Sequence, residues 1–336
     1  MNRSTVAVLG AGSWGTALAK LVADKGIETR LWARHVEQAQ AIQQGRENQK
    51  YLPGFPLPDT LTATSDLPAA LEGTDLVICV VPTHGIRSVL GEAVEFIPPK
   101  ATLVSAIKGI EEGSLKLVSQ IFEDVIPEEH HTRLTYLGGP SFAKEVAAQM
   151  PTAVSVAGHH HSSVAHAQEV MSTDRFRIYT TEDVVGVELG GALKNVIAIA
   201  AGIADGMGFG HNTRAGLITR GLAEINRLAI AMGANPLTIA GLSGMGDLVL
   251  TCTGELSRNR QVGVKLGQGQ KLEQILGGMS MVAEGVRTAH SAHELATKMG
   301  IDMPITREVY EMLYLGKSPK EVLISLTSRP LKPERQ

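Results

Sequence analysis

The chain has 336 residues, enough for two domains with separate cores. Apolar residues make up 43% and charged residues 19%, an ordinary globular balance, and a net charge of −3 with scattered basic residues argues against a nucleic-acid or membrane surface. Only Cys79 and Cys252 occur, both in apolar runs, which argues against a disulfide framework and fits a reducing cytoplasm.

At the N-terminus, Arg3, an apolar run and Ala17-Leu18-Ala19 imitate a secretory signal. Gly10, Gly12 and Gly15 interrupt that run at a spacing with a better explanation. "TVAVLG" reads as a strand, and Gly10-Ala11-Gly12-Ser13-Trp14-Gly15 follows it directly and opens a helix that Gly26 can terminate. A bare G-x-G-x-x-G is weak, but strand before and helix after are the context a dinucleotide fingerprint requires. Gly10 would permit the tight turn, Gly12 the approach of a pyrophosphate and Gly15 the packing of helix on strand. The N-terminus of the helix then offers free N–H groups and a positive dipole end to phosphate.

The next strand, "TRLWAR", chooses the dinucleotide. An NAD-selective site places an acid there against the ribose 2′-hydroxyl. Arg34 and His35 stand in its place, so NADP(H) is at least accepted. Further strand-length apolar runs follow: "DLVICVV", "ATLVSAIKG", "LTYLGG", "TAVSVAG" and the weaker "FRIYTT". Their alternation with helical stretches up to about residue 180 predicts a parallel sheet with helices on both faces. Lys108 falls just past one strand end, where open α/β sheets bind ligands. Gly138-Gly139-Pro140 before Ser141 forms a rigid turn that presents backbone N–H groups at another. The histidine runs at 130–131 and 159–161 lack companion Cys or carboxylate spacing and read as solvated surface, so no metal is expected.

After Asp183 the strand signal stops. The expected fold is α/β: a doubly wound, Rossmann-type N-terminal sheet over residues 1–183, followed by an all-α C-terminal substrate domain over 184–336. No apolar segment is judged to approach the ~20 residues of a membrane-spanning helix. "VELGGALKNVIAIAAG" predicts a buried helix rich in small residues, yet it carries Lys194 and Asn195. The helix alone leaves two readings: a lysine that snorkels to water, or one aimed into a cleft for proton chemistry. "SGMGDLVLTC" sets Asp247 in a flexible glycine loop, either as a helix N-cap or as a functional acid. In "ELSRNRQVG", Ser257 reads as an N-cap with Arg258, Asn259 and Arg260 in the first turn. Cations there oppose the helix dipole unless an anion sits among them, and a phosphate would resolve the conflict.

Taken together, "GAGSWGTALA", "SAIKG", "GGPSFAKE", "ELGGALKN", "GMGDLVLTCTGELSRNR" and "VAEGVRT" closely resemble bacterial NAD(P)-dependent glycerol-3-phosphate dehydrogenase, in order from about residue 5 to about 325. The polar tail after Arg329 has no counterpart. The resemblance implies interconversion of dihydroxyacetone phosphate and sn-glycerol 3-phosphate with NADPH or NADH, supplying glycerol phosphate for phospholipids. It makes Lys194 the proton donor or acceptor, with Asn195 beside the substrate, and puts Lys108 against both substrate and cofactor and Asp247 against the substrate. It further implies that Gly139 and Ser141 hold the substrate, that Ser257, Arg258 and Asn259 bind its phosphate, and that Ser13, Trp14, Arg34, His35, Ala143, Arg258, Val282 and Glu284 touch the cofactor. A homodimer is expected from base rates. Two rivals are a related dehydrogenase acting on a carboxylated hydroxy acid, since arginine binds carboxylate as well as phosphate, and a non-catalytic NADP(H) sensor.

Overall fold

The structure, a computed structural model, describes residues 4–279, 282–331 and 333–334; Arg3 and the extreme ends of the two expected domains lie outside them. Its first strand shows why the N-terminal runs are continuously apolar. In β1 (Thr5–Leu9), Val6 and Val8 join the core on one face of the sheet, while Ala7 and Leu9 join the core on the other. A strand covered on both faces has no polar side to show.

Among the described residues seven more strands follow: β2 (Glu28–Trp32), β3 (Leu61–Thr64), β4 (Leu76–Cys79), β5 (Thr102–Ser105), β6 (Leu134–Gly138), β7 (Thr152–Ala157) and β8 (Phe176–Thr181). They form one sheet in the order β3-β2-β1-β4-β5-β6-β7-β8. The chain turns back at β1, so the neighbours β1 and β4 flank the crevice at which doubly wound sheets bind ligands. The helices of this half are α1 (Ser13–Ala23), α2 (Val36–Gly45), α3 (Leu67–Leu71), α4 (Ile86–Ala93), α5 (Val118–Val125), α6 (Ala143–Ala147) and α7 (His161–Met171).

Two features differ from expectation. The strand β3 was not predicted: "LTAT" is short, half polar and at the sheet edge, where only Leu61 is buried. And the sheet is not wholly parallel, because β6 and β7 pair antiparallel. The connecting α6 has five residues, roughly 7 Å of helix, too short to carry the chain back along a strand of about 16 Å for a parallel entry.

From Asp183 onward the described residues form no strand, and the α-helices among them are α8 (Val184–Gly206), α9 (His211–Ala231), α10 (Pro236–Ala240), α11 (Asp247–Thr253), α12 (Arg258–Gly267), α13 (Leu272–Gly277), α14 (Glu284–Met299), α15 (Pro304–Tyr314) and α16 (Pro319–Thr327). The centre is α8, whose Leu189 to Ala201 pack among α9, α11, α12 and α14. It corrects a sequence expectation. With 23 residues and a mean hydropathy of 1.6, α8 is long and apolar enough to cross a membrane, but 94% of that stretch is buried inside the protein. Its apolar surface is consumed by neighbouring helices.

Candidate active site

Two glycines on α8 determine what comes close to its lysine. A Cβ on Gly190 would lie 2.4 Å from the Ser243 carbonyl oxygen, so only glycine admits the π-helical turn Leu242–Gly246 that leads into α11. Asp247 is therefore not in a flexible loop, nor is it an N-cap, a position that Gly246 takes. It is the first residue of α11 and fully buried. A Cβ on Gly191 would lie 3.5 Å from the Lys108 side chain, which crosses from the loop after β5.

The result is a carboxylate between two ammonium groups. Lys194 Nζ donates to Asp247 Oδ1 at 2.5 Å and to the Thr251 hydroxyl at 2.9 Å, and Lys108 Nζ donates to Asp247 Oδ2 at 2.7 Å. Lys108 also reaches the Gly139 carbonyl at 3.4 Å, which ties the cluster to the end of β6. Gly139 itself has φ +128°, and a Cβ there would strike Val154. The Ser141 hydroxyl donates to the same Gly139 carbonyl at 3.0 Å. Lys194 does not snorkel; it is 7% exposed. Burial, helped by Lys108, outweighs the pull of Asp247 and brings its pKa down to about 8.

A second group meets α8 one residue later. Asn259 Nδ2 donates to Asn195 Oδ1 at 2.9 Å, and Gly285 N–H donates to Asn259 Oδ1 at 2.9 Å. Ser257 caps α12, accepting from the Arg260 N–H, as its position suggested. The anion argument needs narrowing, however. Asp205 of α8 already pairs with Arg260 at 2.7 Å, so one of the two cations has its counter-charge within the protein. Among the described residues, Arg258 is left with one bond, from its guanidinium to the Val282 carbonyl at 2.9 Å. Burial lowers its pKa while Glu284 opposes the shift, and burial raises that of Glu284 to about 7 against Arg258 and Arg287.

The glycine loop fits a dinucleotide. Gly10 has φ +119°, and a Cβ there would meet the Val80 carbonyl; a Cβ on Gly15 would lie 1.8 Å from the Gly10 carbonyl oxygen. A Cβ on Gly12 would meet nothing within 4 Å among the described residues, so the backbone is open to a ligand there, at the N-terminus of α1, whose cap makes no side-chain hydrogen bond. Ser13 and Trp14 open that helix, and Trp14 and Ala143 of α6 pack against the same small cluster of Ala17, Leu52 and Ala147. Arg34 and His35 are exposed after β2, with the Arg34 guanidinium reaching toward Gly85.

Sequence reading passed over several partners. Thr251 holds Lys194 and sits four residues after Asp247, a helical spacing that could have flagged it. Asn48, with Gln38, binds the Ala11 carbonyl and steadies the glycine loop across more than 25 residues of chain, for which no local signal exists. The histidine runs stand apart from the site, and among the described residues no cluster of His, Cys, Asp and Glu is placed to hold a metal.

Comparison with known proteins agrees over nearly the whole chain. The family described as NAD-dependent glycerol-3-phosphate dehydrogenase N-terminus matches residues 5–164, and that described as its C-terminus matches residues 183–324. The chain belongs to the NAD-dependent glycerol-3-phosphate dehydrogenase family. Among the glycerol-3-phosphate dehydrogenases it resembles, the NAD(P)+ enzyme of Citrifermentans bemidjiense is 55% identical over 98% of each chain. That of Leptospira biflexa is 54% identical over 98% of this chain and 99% of its own. The crystal structure of glycerol-3-phosphate dehydrogenase from Coxiella burnetii is 39% identical and superposes with a TM-score of 0.92, covering 97% of this chain and 99% of its own.

Proposed function

We propose that the protein interconverts dihydroxyacetone phosphate and sn-glycerol 3-phosphate with NADPH or NADH. The observation that carries the reading is the buried Lys194–Asp247–Lys108 cluster, joining the helical half to the strand ends of a sheet whose first loop is built on close-packed Gly10 and Gly15. When bound, the nicotinamide supplies or accepts the hydride. The chain's own task is to manage the oxygen on the reacting carbon.

Lys194 is the proton donor to the carbonyl oxygen in reduction and the acceptor from the hydroxyl in oxidation. An ammonium polarises the carbonyl and then delivers its proton to the same oxygen. Asp247 aims Lys194 and Lys108 together, and Thr251 fixes the approach of Lys194 from the other side. Lys108 adds a second positive charge where the oxygen becomes negative. Gly139, Ser141 and Asn195 orient the substrate; Arg258, with Ser257 and Asn259, takes its phosphate. For the cofactor, the contacts are Gly10, Gly12, Ser13, Trp14 and Gly15 at the phosphates, Arg34 and His35 at the adenosine end, and Lys108, Ala143, Arg258, Val282 and Glu284 along the cleft. The exposed Arg34 and the lack of an acid after β2 support acceptance of a 2′-phosphate.

The same reading divides the chain into a dinucleotide-binding domain over 1–183 and a substrate domain over 184–336. It is supported by the end of β8 at Thr181 and the start of α8 at Val184. It places the protein in the cytoplasm, as a homodimer, supplying glycerol phosphate for phospholipid synthesis. A binding-only sensor would have no use for two ammonium groups on one buried carboxylate. The test is absorbance of the reduced nicotinamide with purified protein and dihydroxyacetone phosphate: loss that depends on the ketone phosphate is expected, and its absence with both cofactors would sink the proposal.

A further inference from the structure

The amides of Asn195 and Asn259 carry information about direction. A backbone N–H only donates, so the Asn259 atom facing Gly285 N–H is its carbonyl oxygen, Oδ1. That leaves Nδ2 of Asn259 facing Asn195, and the atom it meets must accept, which is Asn195 Oδ1. The Nδ2 of Asn195 is therefore turned the other way, to the side of α8 where Gly191 lies against the stem of Lys108. Among the described residues its hydrogen bonding there is weak: one long contact of 3.4 Å to the Gly191 carbonyl. Asn195 and Asn259 are 6% and 8% exposed, so water does not scramble the arrangement. Gly285 is also packed too tightly for a side chain, since a Cβ on it would lie 2.6 Å from the Asn195 backbone carbonyl oxygen and 2.8 Å from Asn259 Oδ1.

We infer that the Gly285 backbone N–H, acting through Asn259, fixes the Asn195 side chain so that it offers N–H groups, and not its carbonyl, to an oxygen of the phosphorylated substrate. Asn259 is thereby a positioning residue for Asn195, in addition to any contact of its own. This rests on the reaction proposed above. The polarity matters because a phosphorylated ligand presents acceptor oxygens, and an Asn195 turned by 180° would set a carbonyl oxygen against them. It also links the two ends of the site, since Gly285 follows Glu284 in the segment proposed to touch the cofactor.

The decisive substitution is Asn259→Asp, which keeps the shape and the bond from Gly285 but turns the donor toward Asn195 into an acceptor. Asn195 must then rotate to donate to it, and so presents its own oxygen to the site. The added negative charge also repels phosphate, so the substitution is made in two backgrounds, wild type and Asn195→Ala, where no polarity is left to reverse. The expected result is a KM for dihydroxyacetone phosphate raised about 10-fold more by Asn259→Asp in the wild-type background than in the Asn195→Ala background. Equal factors in both would overturn the inference, leaving only charge or general structural damage. Neutron diffraction from deuterated wild-type crystals gives a readout independent of turnover. Deuterium on the Asn195 nitrogen remote from Asn259 is expected; the reverse orientation overturns the relay even if Asn259→Asp does not fold. A wild-type protein that turns over no ketone phosphate would instead defeat the proposed reaction, while the neutron map still decides the polarity.

Discussion

Asp247 holds two ammonium groups at once, so without Lys194 it still has Lys108 as its counter-charge, and Lys194→Ala tests the proton and not an orphaned carboxylate. The predictions at Lys194 and Arg258 differ in kind. Lys194→Ala removes the proton donor and should lower kcat by on the order of 100-fold or more while dinucleotide binding, followed by fluorescence titration, is unchanged. The wild-type pH profile should show the same group. With Lys194 at about 8 in the free protein, kcat/KM for reduction, which needs the ammonium, falls as pH rises through that value. For oxidation, which needs the neutral amine, it rises through the same range. A flat profile between pH 7 and 9 in both directions would remove Lys194 from the role. Arg258 should behave otherwise, because a phosphate clamp acts on ground and transition states alike: Arg258→Ala raises KM for the ketone phosphate about 10-fold or more with kcat little changed. An unaltered KM would show that the phosphate sits elsewhere.

Helices α8 and α12 meet through glycines four residues apart on each. A Cβ on Gly202 would lie 2.1 Å from the Arg260 carbonyl oxygen, one on Gly206 2.2 Å from that of Val264, and one on Gly263 2.1 Å from that of Ile199. Backbone against backbone, the two helices have no side chain that could yield. This contact fixes where the first turn of α12, with Arg258 and Asn259, stands relative to Lys194 and Asn195. Gly202→Ala should therefore cost about 1–3 kcal/mol of stability and lower the urea midpoint, and it should raise KM as well by shifting α12. Gly216→Ala is the control, since it lies within α9 with nothing within 4 Å of its would-be Cβ; there alanine should be neutral or stabilise by about 0.5–1 kcal/mol. Equal midpoints for the two variants would contradict the packing argument.

Over the whole molecule, the two halves are joined by buried polar contacts as well as by Lys108. Glu188 of α8 accepts from both the backbone N–H and the hydroxyl of Ser119 in α5, at 2.7 and 2.5 Å. Burial nevertheless dominates and raises its pKa from 4.5 to about 7, against the Ser119 hydrogen bonds. The folded state thus holds this proton more tightly than the unfolded chain. Its contribution to stability is complete below about pH 4.5, fades as pH rises toward 7 and is lost above it. Glu188→Gln stays neutral throughout. Relative to the wild type it should gain on the order of 2 kcal/mol between pH 5 and pH 8, read as a divergence of urea midpoints. Parallel curves would mean that Glu188 is charged in the folded protein at both pH values.

The sequence by itself determined the features that depend on neighbours along the chain. The strand-glycine-helix start, the Ser257 cap and the end of strand signal at Asp183 all rest on spacings of a few residues, and local backbone physics fixes them. The motif resemblance likewise identified the family before any fold was drawn. Tertiary structure decided what depends on distant residues meeting. Whether Lys194 faces water or a carboxylate turned on Asp247, 53 residues away, on Gly190, which lets the turn into α11 approach α8, and on Gly191, beside which Lys108 passes. Likewise, Arg260 reads as half of an anion site in the sequence, whereas Asp205 stands beside it in the fold, and α8, expected to fall short of a membrane span, is long and apolar enough for one, its apolar surface being covered by neighbouring helices. Charge and burial are sums over everything nearby in space, and a linear chain does not record which residues those will be.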